Sequence, residues 1–226
     1  FTVNQAGEII YGLGATKGLG EGPIEEMLAA REQGAFQNLF DFCARTDPKK
    51  VNRRAIDALI RSGAFDSLGE DRAVMMASVD DAIQAAQQTA SNAAAGIEDL
   101  FGEVVETTGA GDVYADFRNT RPWSSKETLL GEKETLGLWI TGHPFDEYEK
   151  ELRKMASTRI ADLRDDGSKS QVIAGLIVSM RTMKTKRGDT MAILNMDDRS
   201  ARIEVTLFGD VYNEYRELLV KDSILI

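Results

Sequence analysis

Apolar periodicity disappears between residues 89 and 120, and that interruption limits what the chain can become. The stretch is dominated by Ala, Gly, Thr, Asp and Glu. A segment with so little to bury cannot offset the entropy of ordering itself, so it reads as a linker. Before it, apolar residues recur at helical spacing. From Gln171 onward the pattern becomes strand-like, with Val172, Ile173, Leu176, Ile177 and Val178. A chain of 226 residues has room for one large or two small domains. The change of period across a linker makes the expected fold multidomain, a mainly helical region followed by a β domain.

The front region, residues 1–88, begins with a short β-hairpin turned at Ala6-Gly7. Pro23 suits a first helical turn, Glu25 and Glu26 complement the positive helix end, and Gly34 closes a helix over 23–33. A short apolar stretch, Phe36 to Phe42, follows. Asp47-Pro48 is expected to start the next helix, with Val51, Ile56, Leu59 and Ile60 on one face and Gly63 at its end. Asp71 to Gln88 reads as a longer helix. Residues 121–165 form a helical connector broken at Gly142-His143-Pro144. Residues 166–226 hold strands joined by turns at 186–189 and 197–200, then a helix from Asp210 to Val220 and the start of a further strand.

Net charge is −10, which argues against an electrostatic nucleic-acid binder that uses its whole surface. The charge is uneven, however. Ala73 to Phe117 contains no Lys or Arg, whereas Arg45, Lys49, Lys50, Arg53, Arg54 and Arg61 crowd one short span. No apolar run of about 18 residues suggests a membrane span. The first residues do not resemble a signal peptide. Cys43 is the only cysteine, which fits a reducing cytoplasm. The missing initiator Met and the apolar ending Ser223-Ile224-Leu225-Ile226 suggest a piece of a longer protein with a truncated β domain.

Three segments carry chemistry. In Ala15-Thr16-Lys17-Gly18-Leu19-Gly20-Glu21-Gly22-Pro23-Ile24, a Gly-x-Gly turn leads into a Pro-initiated helix. Glycines let backbone approach a phosphate, and a helix start offers free N–H groups. This is the logic of a helix-hairpin-helix, which grips the DNA backbone without reading sequence. Lys17, Gly18, Leu19, Gly20 and Gly22 are its candidate residues, against a plain tight turn. A second unit runs through Gly63-Ala64-Phe65-Asp66-Ser67-Leu68-Gly69. Asp66 and Ser67 replace its inner glycine, so a structural role is expected there. Arg53 and Arg54 on the preceding helix face either DNA or solvent. The second segment, Ile97-Glu98-Asp99-Leu100-Phe101, is an apolar island in the linker. It suits anchoring in a partner's groove or folding back on its own domain. The third is the strand set from Gln171, which matches the front of an OB fold. Arg181, Lys184, Lys186 and Arg187 cluster at its first hairpin, where single strands bind in such folds. Stacking aromatics are absent from these strands until Phe208.

Other patterns carry less. Gly12-Leu13-Gly14 lacks the βαβ context of a dinucleotide site. His143 and Cys43 are too few for a zinc site. Asp197-Asp198 reads as turn chemistry. No catalytic and no metal-binding set stands out.

Four ordered stretches together resemble the bacterial DNA polymerase III alpha subunit family. They are Ile10 to Ile24, Leu59 to Asp66, Glu134 to Pro144, and Thr185-Lys186-Arg187-Gly188. The resemblance implies tandem helix-hairpin-helix elements, a linker that binds the sliding clamp at Ile97–Phe101, and an OB domain linked to single-stranded template. The family's clamp pentapeptide usually begins with Gln, where this chain has Ile97. The polymerase's magnesium and catalytic aspartates are implied to lie upstream of Phe1, so this chain carries no cofactor. Implied partners are duplex DNA, single-stranded template, the sliding clamp and other replisome subunits, in the cytoplasm and without a membrane. A module of a DNA-repair protein and an assembly segment without DNA affinity are the competing readings.

Overall fold

The computed structural model describes residues 1–94, 112–156, 158–164, 167, 170–186 and 188–226. The chain divides into two compact units, Phe1–Thr141 and Gly142–Ile226.

The first unit opens with antiparallel strands β1 (Thr2–Val3) and β2 (Ile9–Ile10). The Asn4 side chain holds their turn by accepting from the Ala6 and Glu8 amides. A 3₁₀ turn at Leu13–Ala15 leads to helix α1 (Glu21–Arg31), followed by α2 (Leu39–Arg45), α3 (Arg53–Ser62), α4 (Arg72–Ala94) and α5 (Ser125–Leu136). The helix ends have local causes. Asn38 and Asn52 accept from the Asp41 and Ala55 amides at the starts of α2 and α3. Ser124 and Glu127 form a reciprocal capping box on α5. Gly63 and Gly137 end α3 and α5 with φ of 79°, a conformation that penalises any Cβ. Leu39, Phe42, Ile56, Leu59, Ile60, Met75 and Val79 form a fully buried core. Phe42 meets Phe65 edge-on at 4.8 Å.

Three boundaries differ from expectation. The helix expected from Asp47-Pro48 begins at Arg53. Residues 47–51 instead make a turn, in which the Asp47 carboxylate accepts from the Lys49 amide and its carbonyl from Lys50 and Val51. An Asx turn of this kind competes with helix formation. At the expected linker, 89–120, α4 runs on to Ala94, as its alanines allow. The chain is again packed by Tyr114, whose hydroxyl accepts from the Leu39 amide at 2.9 Å. The expected connector, 121–165, is split between the two units at residue 141. Its α5 lies in the first unit.

The second unit contains α6 (Glu149–Met155), a 3₁₀ turn at Ile160–Asp162, strands β3 (Gly175–Lys184), β4 (Thr190–Asp197) and β5 (Arg202–Leu207), helix α7 (Gly209–Tyr215) and strand β6 (Ile224–Leu225). The sheet order is β5-β4-β3-β6, antiparallel throughout. A register shift between Ile177 and Ser179 bends β3. Three meandering strands, a helix and a fourth strand returning beside the first make a curled, OB-like sheet. Ile177, Ala192, Leu194 and Met196 form its buried face with Ile160 and Leu219. The architecture is therefore multidomain, a helical helix-hairpin-helix region followed by an OB-like β domain. No helix among the described residues is long and apolar enough to cross a membrane.

Candidate nucleic-acid interface

The first hairpin is built around one buried anchor. Leu19 sits in the core of the first unit and Thr16 is buried beside it, while Lys17, Gly18, Gly20 and Gly22 are exposed. Gly18 has φ of 94°, and a Cβ there would already touch the Ala58 methyl. The turn therefore needs glycine for its conformation. Gly20 starts α1 with no side-chain cap, so the first-turn N–H groups are not covered by a neighbouring side chain, and Pro23 has none to cover. Not every amide is available. Lys17 N–H donates to the Thr135 carbonyl at 2.8 Å and Leu19 N–H to Thr16 at 3.2 Å. What the hairpin turns outward is the Lys17 ammonium, which has no ion-pair partner among the described residues, together with bare glycine backbone.

The hairpin at Gly63–Gly69 is different in kind. Asp66 binds Arg72 through both carboxylate oxygens, and the Arg72 guanidinium fills the space a Cβ on Gly63 would need. An acidic, internally bonded turn has little to offer a phosphate.

A third helix-turn-helix, not recognised from sequence, joins α2 to α3 through Thr46–Asn52. Its turn carries Lys49 and Lys50, and α3 starts with Arg53 and Arg54. Lys50 pairs with Glu26 at 2.7 Å; that ammonium, with the Asp47 amide, holds the Glu26 carboxyl below its ordinary range. Arg53 pairs with Asp57 at 3.7 Å and with Asp80 on α4. Lys49 and Arg54 are exposed and have no ion-pair partner among the described residues. The signal that could have found this turn was Asn52, a strong N-cap residue directly before Arg53.

In the second unit, Arg181 pairs with Glu204 at 3.2 Å. Lys184 and Lys186 are exposed at the β3–β4 hairpin, closed by Thr185 N–H to Asp189 at 2.8 Å. Phe208 is 66% exposed, beyond the end of β5. Arg187 and the whole of Ile97-Glu98-Asp99-Leu100-Phe101 lie outside the described residues.

The remaining polar clusters are structural. Asp198 is buried and accepts from the Ile160, Ser200 and Ala201 amides and the Ser200 hydroxyl. Burial opposes its ionisation, but these donors prevail and hold its carboxyl below the usual range. Asp197 accepts from Arg199 N–H and Arg202 Nε, so the pair sets the turn. His143 shapes its own turn, Nδ1 accepting from the Phe145 amide at 3.1 Å. Burial pushes the Cys43 thiol up to about 12, which suppresses the thiolate. Among the described residues no group of His, Cys, Asp and Glu side chains could hold a metal ion.

Residues 1–75 match the helix-hairpin-helix motif family. Over its full length the chain is similar to "DNA polymerase III subunit alpha" of Pseudomonas fluorescens, 47% identical over 241 residues. The proteins of that name from Vibrio cholerae and Escherichia coli (strain K12) are 50% and 48% identical over 230 and 229 residues. In each case the match covers 100% of this chain and 20% of the relative. The chain spans about a fifth of the length of these curated relatives, and over that span it is similar to the bacterial DNA polymerase III alpha subunit.

Proposed function

We propose that this chain is the part of a replicative DNA-directed DNA polymerase that holds duplex DNA by its backbone. The observation that carries this reading is the first hairpin, where Leu19 is buried while Lys17 and three glycines stay exposed. An anchored turn of that kind presents charge and bare backbone to a phosphate chain without reading its bases. Lys49 and Arg54 at the α2–α3 turn supply further charge that has no ion-pair partner among the described residues. Nucleotide transfer belongs to the parent polymerase.

The pentapeptide at 97–101 then serves as the sliding-clamp tether. Holding the polymerase on a ring around DNA raises its effective concentration at the primer end. The β3–β4 hairpin, with Arg181, Lys184, Lys186 and Arg187, faces single-stranded template. Arg181 is the weakest of these, because Glu204 already neutralises it. The setting is the cytoplasmic replisome, with its other subunits as neighbours.

A salt titration of duplex binding tests the reading. A backbone-gripping chain loses affinity steeply, with log K falling by about 0.9 per log unit of salt for each phosphate neutralised. Absent or salt-independent binding would favour an assembly segment, the reading best suited to the net charge of −10. Duplex binding without clamp binding would fit a repair-type module.

A further inference from the structure

Helix α5 does more than fill space in the first unit. The last carbonyls of any helix lack partners inside it, and α5 gives two of them to the region of the first hairpin. Thr135 C=O accepts the Lys17 amide at 2.8 Å. Leu136 C=O accepts the Tyr11 hydroxyl at 2.8 Å. The same hydroxyl lies 3.3 Å from the Ala15 carbonyl, but it has one proton, and the shorter contact takes it. Tyr11 is fixed in turn by the Phe1 ring, edge-on at 4.9 Å. Tyr11 and Lys17 thus bracket the 3₁₀ turn at Leu13–Ala15 and pin both ends of it to one helix end.

The other contacts of α5 reach the α3–α4 side of the unit. Gly131 packs so closely that a Cβ would stand 3.2 Å from the Arg61 carbonyl. Glu134 pairs with Arg61, and Glu132 with Arg72 at 3.1 Å. One helix therefore holds the Lys17 hairpin in register with α3, the helix that starts at Arg53-Arg54.

We infer that α5 is a brace that sets the DNA-gripping posture of the Lys17–Gly20 hairpin, with Tyr11 as its positioning residue. This inference rests on the proposal that the hairpin contacts duplex DNA. The Tyr11 hydroxyl is committed to the Leu136 carbonyl. It acts by holding the turn in place before DNA arrives, so that binding does not have to supply the ordering.

The experiment uses the full 226-residue chain with Tyr11→Phe, Lys17→Ala and the double variant. Duplex affinity is measured by fluorescence anisotropy at several salt concentrations, well below the thermal transition of each variant. Tyr11→Phe removes one oxygen and keeps the ring. It is expected to weaken duplex binding about three- to tenfold, the range of one lost hydrogen bond, with an unchanged salt slope. The Lys17 amide should also exchange with solvent faster. Lys17→Ala should lower the salt slope by about 1. In the Lys17→Ala background the Tyr11→Phe loss should shrink, because both act through one hairpin. A Tyr11→Phe chain that melts earlier but binds duplex as before overturns the brace, provided Lys17→Ala still weakens binding. If Lys17→Ala leaves affinity and slope untouched, the hairpin is not a DNA contact, and the proposal beneath the brace fails with it.

Discussion

Arg72 donates from Nη1 to Glu132 at 3.1 Å, and that carboxylate is fully buried. Its other oxygen accepts from the Ile140 and Thr141 amides at 2.7 and 3.1 Å. Arg72 also holds Asp66, and those carboxylates, Asp66 foremost, hold its guanidinium charged against burial. A buried charge of this kind persists only when paired. Glu132→Ala leaves two amides without an acceptor and one guanidinium arm with only a long contact, 3.5 Å, to the Arg61 carbonyl. It is expected to cost about 3–5 kcal/mol in urea unfolding. Glu132→Gln keeps a carbonyl for part of this set and should cost less.

Arg53 and Arg54 are neighbours with different assignments. Arg53 is committed to Asp57 and Asp80, whereas Arg54 is exposed and unpaired among the described residues. Arg54→Ala should weaken duplex binding for any sequence and reduce the salt slope by about 1. Arg53→Ala should leave that slope nearly intact and lower stability by about 0.2–1 kcal/mol, the range for exposed ion pairs. Anisotropy titrations and urea melts on the two variants separate the roles.

The tether and the grip should be separable. Leu100→Ala with Phe101→Ala is expected to weaken sliding-clamp binding by about 2 kcal/mol or more. Duplex affinity should stay unchanged, since the pentapeptide is not part of either basic hairpin. Calorimetry against the clamp and anisotropy against duplex read the two effects. Loss of both together would refute the division of labour.

Acid should expose the charge on the α5 cap. Hydrogen bonds from Arg121, then from the Ser124 amide and hydroxyl, lower the Glu127 carboxyl to about 2. A depressed carboxylate stabilises the fold above its unfolded pKa and loses that contribution as pH falls through the folded value. Glu127→Gln, which can still cap the helix, should therefore melt below the native chain at neutral pH. The gap between their melting curves should close as pH drops from the ordinary carboxylate range toward 2.

The sequence was most legible where one residue forces one conformation. Gly63 marks the end of α3, and Gly18 and Gly20 are exposed on either side of the buried Leu19. It was least legible where competing local signals met. Pro48 suggested a helix start, yet the Asp47 side chain captures the Lys49 amide and Asn52 offers the better cap. That misplaced start concealed the α2–α3 turn and with it Lys49. Ion pairs across the fold were also out of reach, because nothing local in sequence brings Asp80 to Arg53 or Glu204 to Arg181. The low apolar content after residue 88 hid Tyr114, which packs by reaching back to α2.

That reach also sets a timetable. Leu39 and Tyr114 are 75 positions apart, and Phe117 and Trp123 pack on the same core. At about 5–20 residues per second, a ribosome takes roughly 4–15 s to pass from one partner to the other. During that interval α1 to α4 can form from nearby contacts, but the core they share stays open on one side. The contacts that pin the Lys17 turn form only once α5 has emerged, so that hairpin is made well before it is set.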